Sequence, residues 1–110
     1  MLGQTALQSQ GEKLKELREA KGLVQRQVAA ELEVDTAYIS KMESNEKPVN
    51  RKHLKKLAFL LSISENELLT LWLADKLYDL VKDEEAGLKS IEIVHTFMMK
   101  NIKGEKNRNS

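Results

Sequence analysis

Residues 24–45 read Val24-Gln25-Arg26-Gln27-Val28-Ala29-Ala30-Glu31-Leu32-Glu33-Val34-Asp35-Thr36-Ala37-Tyr38-Ile39-Ser40-Lys41-Met42-Glu43-Ser44-Asn45. Val28, Ala29 and Leu32 share one face at helical spacing, and Ile39 with Met42 repeats the pattern a few residues later. The spacing predicts two short helices, Val24 to Leu32 and Thr36 to Glu43, joined tightly around Glu33 and Val34. Asp35 is placed to cap the second helix, its carboxylate accepting a first-turn N–H. Ala29 is small enough for the second helix to cross it closely, and burial of Val34, Ile39 and Met42 fixes the crossing. That crossing turns Thr36, Ala37, Ser40 and Lys41 outward. Asn45 suits a left-handed exit, and Pro48 prevents the helix from continuing, so a turn covers 44–50.

Working outward, Ser9 and Glu12 stand at capping-box spacing before Leu14 and Leu17, and the pattern stops at Gly22, which places helix 1 over about 10–21. Helix 4 fits about 51–61, its buried stripe formed by Leu54, Leu57, Ala58 and Leu61. Ser64 and Glu67 repeat the capping pattern and open a fifth helix carrying Leu68, Leu71, Trp72 and Leu77. Apolar residues continue through Tyr78 and Val81 until Asp83, which is placed to cap a sixth helix lined by Leu88, Ile91, Val94, His95, Met98 and Ile102. No strand alternation interrupts the series. The expectation is an all-α chain with a five-helix domain over 9–73, a helical extension over 74–102 and a flexible polar tail over 103–110.

The quoted stretch resembles the lambda-repressor-like, or Xre-type, helix-turn-helix family, through Ala29, Val34, Ile39, Ser40 and Glu43 at the family's spacing. The resemblance covers about residues 11–73 and implies a five-helix DNA-binding domain whose helices 2 and 3 form the reading unit. A helix of this diameter enters the major groove, where the hydroxyls of Thr36 and Ser40 can bond base edges and Ala37 can meet a thymine methyl. Lys41 reaches either a guanine edge or a phosphate, and both remain open. By resemblance, Gln25 at the start of helix 2 and Arg51 at the start of helix 4 contact phosphates, and Lys47 and Lys52 in the same basic run are assigned with them. The resemblance also implies an internal ion pair between Arg18 and Glu43. Tyr38 is divided between partial core packing and the DNA backbone. Three residues depart from the common pattern: Val24 gives up a side-chain cap, Glu33 stands at a frequent turn glycine, and Asn45 replaces glycine after helix 3.

The formal net charge of +1 conceals a segregation that can focus a positive field on one surface. Lys41, Lys47, Arg51, Lys52, Lys55 and Lys56 outweigh Glu43 and Glu46, whereas residues 64–86 are strongly acidic, with Lys76 and Lys82 as their basic members. At 110 residues, 41% hydrophobic and 32% charged, the chain suits one folded domain with an appended element better than a disordered segment. Absence of cysteine excludes disulfides and thiolate-bound zinc. The Met1–Leu7 stretch lacks a leader pattern, and no window approaches the roughly 18 apolar residues of a membrane span, so the chain reads as cytoplasmic. His53 is read as phosphate-facing or plain helix surface, and His95 as lying at a helical contact. Neither makes a metal site, the acids at 83–85 fit the first turn of helix 6, and no nucleophilic triad or phosphate loop is present. No cofactor and no enzymatic activity are expected.

The leading expectation is therefore a sequence-specific, double-stranded DNA-binding transcriptional regulator, a repressor or restriction-modification controller. The alternative is an antitoxin-like interaction protein that binds DNA with the same fold and a protein partner with residues 74–102. A palindromic operator and a homodimer follow from the small footprint of one reading helix, with Leu88, Ile91, Val94, His95, Met98 and Ile102 as the pairing stripe. The competing arrangement folds helix 6 back onto helix 5 within a monomer.

Overall fold

The computed structural model describes residues 9–109, with side chains described through Ile102. The Met1–Leu7 stretch and Ser110 lie outside the described residues. Those residues form six α-helices and no strand: α1 (Gln10–Ala20), α2 (Gln25–Leu32), α3 (Thr36–Glu43), α4 (Leu54–Leu61), α5 (Glu65–Val81) and α6 (Gly87–Asn109). A single 3₁₀ turn, Arg51–His53, precedes α4, so the expected fourth helix opens with a tighter first turn. The chain divides into two compact units at Lys76 and Leu77, slightly beyond the sequence-based boundary at 73.

Local chemistry explains where the helices begin. Ser9 accepts from the Glu12 N–H, Asp35 from the Tyr38 N–H at 3.0 Å, and Ser64 from the Glu67 N–H at 2.9 Å. Val24 has no oxygen to offer, but Gln27 Oε1 accepts from the Val24 N–H at 2.8 Å and supplies half of a capping box. Four helices then end alike. Gly22, Glu33, Asn45 and Ser62 take left-handed backbones at φ 71°, 58°, 66° and 56°. In each case the following N–H returns to a carbonyl of the last turn: Leu23 to Arg18 at 3.1 Å, Val34 to Ala29 at 3.0 Å, Glu46 to Lys41 at 2.8 Å and Ile63 to Ala58 at 3.1 Å. Glycine adopts this conformation freely, asparagine tolerates it, and Glu33 and Ser62 hold it against Cβ repulsion.

The first unit is centred on one core. Leu14 of α1, Val28, Ala29 and Leu32 of α2, Ile39 and Met42 of α3, Leu57, Ala58 and Leu61 of α4, and Leu68 of α5 are each at most 5% exposed. Burial of a large apolar side chain contributes about 1.5–3 kcal/mol, so this set outweighs the individual caps. Polar contacts then set the register of α1. The Gly11 N–H donates to Asn45 Oδ1 at 3.2 Å, and Asn45 Nδ2 donates to Ser9 Oγ at 2.8 Å. A Cβ on Gly11 would collide with the Met42 carbonyl and lie 2.9 Å from that of Glu43, so glycine permits this close approach of α1 to the end of α3. Gln10 joins α1 to α5 by donating its side-chain amide to the Leu68 carbonyl at 3.3 Å and its backbone N–H to Asp75.

The second unit comprises the end of α5, a turn and α6. Asp83, Glu84 and Glu85 lie in the turn, not in the first turn of the sixth helix, and Asp83 does not cap it. The chain first tightens through Glu84 N–H to Val81 O and Gly87 N–H to Glu84 O, both 3.0 Å. The helix starts at Gly87, where a Cβ would strike the Val81 carbonyl. Its backbone continues through Asn109, past Ile102, where the apolar pattern ends.

Candidate nucleic-acid interface

α3 has two chemically distinct faces. Ile39 and Met42 are 1% and 2% exposed, while Thr36, Ala37, Ser40 and Lys41 are all exposed. The buried pair anchors the helix to the core, and the Asp35 cap sets its first turn, so the outward side chains project from a supported element. Tyr38 is half-buried and meets His53 edge-on, with ring centroids 5.9 Å apart.

Behind this face lies a charged junction of three helices. Arg18 Nε donates to Glu43 Oε2 at 2.6 Å and its Nη2 to Oε1 at 3.0 Å, while Nη1 donates to the Leu23 carbonyl at 2.7 Å. Both side chains are buried, at 10% and 6% exposure. The hydrogen bonds to Glu43, with burial opposing them, hold the guanidinium above its ordinary range. Gln25 Nε2 donates to the same Glu43 Oε1 at 3.0 Å. The half-buried amide at the start of α2 is thus aimed by the ion pair, with one N–H committed to it.

The other assigned cations lie between α3 and α4. Lys47, Arg51 and Lys52 are exposed, and Asn50 fixes the 3₁₀ turn by accepting from the Lys52 N–H at 3.0 Å. The Arg51 guanidinium lies 5.5 Å from the centre of the Trp72 ring, whose indole N–H donates to the Val49 carbonyl at 2.6 Å. His53 departs from the expectation of plain helix surface: it is 8% exposed, with Nδ1 lacking a hydrogen-bond partner among the described residues. Burial, followed by the charges of Lys52 and Lys56, pushes its imidazole below the ordinary value.

Sequence reading missed the roles of Trp72 and Asn45 as organisers, and the hydrogen bond that ties Gln25 to Glu43. Trp72 appeared as one more apolar position, although a lone indole N–H needing an acceptor was a signal in principle. The Asn45 bridge to α1 had no comparable local signal. Among the described residues no cluster of three or more His, Cys, Asp or Glu is placed to hold a metal, and no helix is long and apolar enough to cross a membrane.

In the second unit, Leu88, Val94, Met98 and Ile102 are 74%, 46%, 59% and 54% exposed, His95 is exposed and Ile91 is half-buried. Ile93 and Phe97, at 54% and 63%, were not assigned by sequence reading. At helical spacing they lie away from the assigned stripe, so α6 carries apolar groups on a second side.

A supported helix with an outward polar face, a small second helix crossing behind it and a basic turn beside it have the arrangement of a helix-turn-helix unit. A helix-turn-helix family model matches residues 14–68, half of the chain and nearly all of the core-forming elements. The chain belongs to the helix-turn-helix family, of the Xre or lambda-repressor-like kind, whose members are DNA-binding and generally non-enzymatic transcriptional regulators. No curated protein and no solved structure matches the chain.

Proposed function

We propose that the protein is a repressor, or a restriction-modification controller, that binds a palindromic double-stranded operator as a homodimer. The observation carrying this reading is the outward face Thr36, Ala37, Ser40 and Lys41 opposite the buried Ile39 and Met42. Thr36 and Ser40 bond base edges, Ala37 meets a thymine methyl, and Lys41 takes a guanine edge or a phosphate. Gln25, Arg51, Lys47 and Lys52 engage phosphates, which sets register and contributes salt-dependent affinity without reading sequence. The exposed apolar side of α6 supports pairing, and two-fold pairing lets identical helices read two half-sites about one DNA turn apart. Repression follows when the occupied site overlaps that of polymerase.

Selection of bound duplexes from a random pool, followed by footprinting, tests the reading. The expected product is an inverted repeat protected over two half-sites. Ala37→Glu should abolish its recognition while the far-ultraviolet circular dichroism spectrum is retained. Recovery of no enriched sequence by the folded protein would overturn sequence-specific regulation.

Ile93 and Phe97 support a second reading, an antitoxin-like protein that uses this other side of α6 for a protein partner. Co-purification from the native cell of a protein encoded beside this one, lost in Phe97→Lys, would favour it. Retention of that partner by Phe97→Lys would show that this side of α6 does not bind it.

A further inference from the structure

In sequence, Lys76 belongs to the acidic stretch and stands far from the basic run that contains Arg51. In the fold, its ammonium group lies 5.0 Å from the centre of the Trp72 ring, against which the Arg51 guanidinium also rests at 5.5 Å. Trp72 is not free to turn away, because its indole N–H is tied to the Val49 carbonyl at 2.6 Å, immediately before the basic turn. Lys76 and Arg51 are exposed, whereas Trp72 is only partly so. The ring quadrupole attracts each cation, but the two cations repel one another. A DNA backbone passing this ring reverses that balance, because its phosphates attract both groups while the ring continues to hold each of them.

We propose that Arg51, Trp72 and Lys76 form a phosphate clamp for the DNA backbone, with Trp72 as its positioning residue and Lys76 as a contact contributed by α5. The proposal rests on the reading of Arg51 as a phosphate contact and extends that contact to a second cation from a distant part of the chain. Its ligand is a phosphodiester of double-stranded DNA. Recognition is indifferent to base sequence, since neither cation is assigned to a base edge. The indole does not contact phosphate: it holds each long side chain against the ring and reduces the ordering needed on binding.

The salt dependence of binding tests this assignment. Full-length wild type, Arg51→Ala, Lys76→Gln, Trp72→Phe and Trp72→Leu are titrated into a fluorescently labelled random-sequence duplex and into the selected operator over a series of salt concentrations. Lys76→Gln should lower the magnitude of the slope of log K against log salt by about 0.9, the value for one released phosphate contact. It should weaken operator and random duplex by the same factor. Trp72→Phe, which keeps an aromatic face, should retain most of the wild-type slope, while Trp72→Leu should approach the loss seen in Lys76→Gln. Lys76 is exposed, so its variant tests the clamp even if Trp72→Leu is unfolded by circular dichroism. If Arg51→Ala lowers the slope and Lys76→Gln does not, the clamp is overturned while the Arg51 contact stands. If neither changes it, both the clamp and the phosphate reading of Arg51 fail.

Discussion

Arg18→Met is expected to destabilise the first unit by about 3–5 kcal/mol, because it strands a carboxylate whose side chain is only 6% exposed. The partners set the magnitude. Arg18 supplies Glu43 with two charge-assisted hydrogen bonds, at 2.6 and 3.0 Å, and bonds to charged groups contribute about 1.5–3 kcal/mol each. After its loss the carboxylate retains the neutral Gln25 amide, which cannot balance its charge. Glu43→Leu should be milder, because Arg18 keeps the Leu23 carbonyl at 2.7 Å and its flexible stem lets the head reach water. The double variant removes both charges and should be more stable than Arg18→Met alone, giving a coupling on the order of 2–3 kcal/mol. Urea unfolding near neutral pH, followed by circular dichroism, measures the cycle, with equal m-values required before midpoints are converted. A loss of 3 kcal/mol corresponds to a Tm decrease of roughly 12 °C or more for a domain of this size. The coupling should change little with added salt, since a buried pair is poorly screened. A coupling below about 0.5 kcal/mol, or an Arg18→Met cost below about 1 kcal/mol, would place the pair in the solvent-exposed regime.

Gly11→Ala should cost about 1–3 kcal/mol despite the higher helix propensity of alanine, because its Cβ meets the backbone carbonyls that end α3; an unchanged unfolding midpoint would contradict that close approach. Glu33→Gly should stabilise the fold by about 0.5–1 kcal/mol by relieving a left-handed backbone at φ 58°, and a lower urea midpoint would show that the strain is not the governing effect. His53 has a folded-state pKa depressed from its ordinary value near 6.5, so the unfolded chain binds the proton more readily. Its contribution to stability is present above about pH 6.5 and is lost as the pH falls through the folded value. Wild type should therefore weaken between about pH 7.5 and about pH 5.5 more than His53→Gln does, and parallel urea midpoints for the two proteins would exclude that linkage.

The helix series was legible in the sequence because its determinants are local. Ser9, Asp35 and Ser64 announced helix starts, Gly22 and Asn45 announced exits, and the periodicity of Leu14, Val28, Ile39, Leu57 and Leu68 identified the faces that join the core. The outward position of Thr36, Ala37, Ser40 and Lys41 followed from the same periodicity, since burying Ile39 and Met42 leaves little choice for the opposite face. Ser62 was not legible as a left-handed exit, and Asp83 was mistaken for a cap, because short polar side chains suit both turns and helix starts. His53 looked exposed among cations, and only the packing of Tyr38 and the surrounding core made it buried. Lys76 looked acidic by neighbourhood, and only the fold of α5 brought it to the ring that also holds Arg51. Caps and periodicities act within a few residues and survive in a linear reading. Which distant side chains share an environment depends on chain closure through the core, and that was decided by tertiary packing.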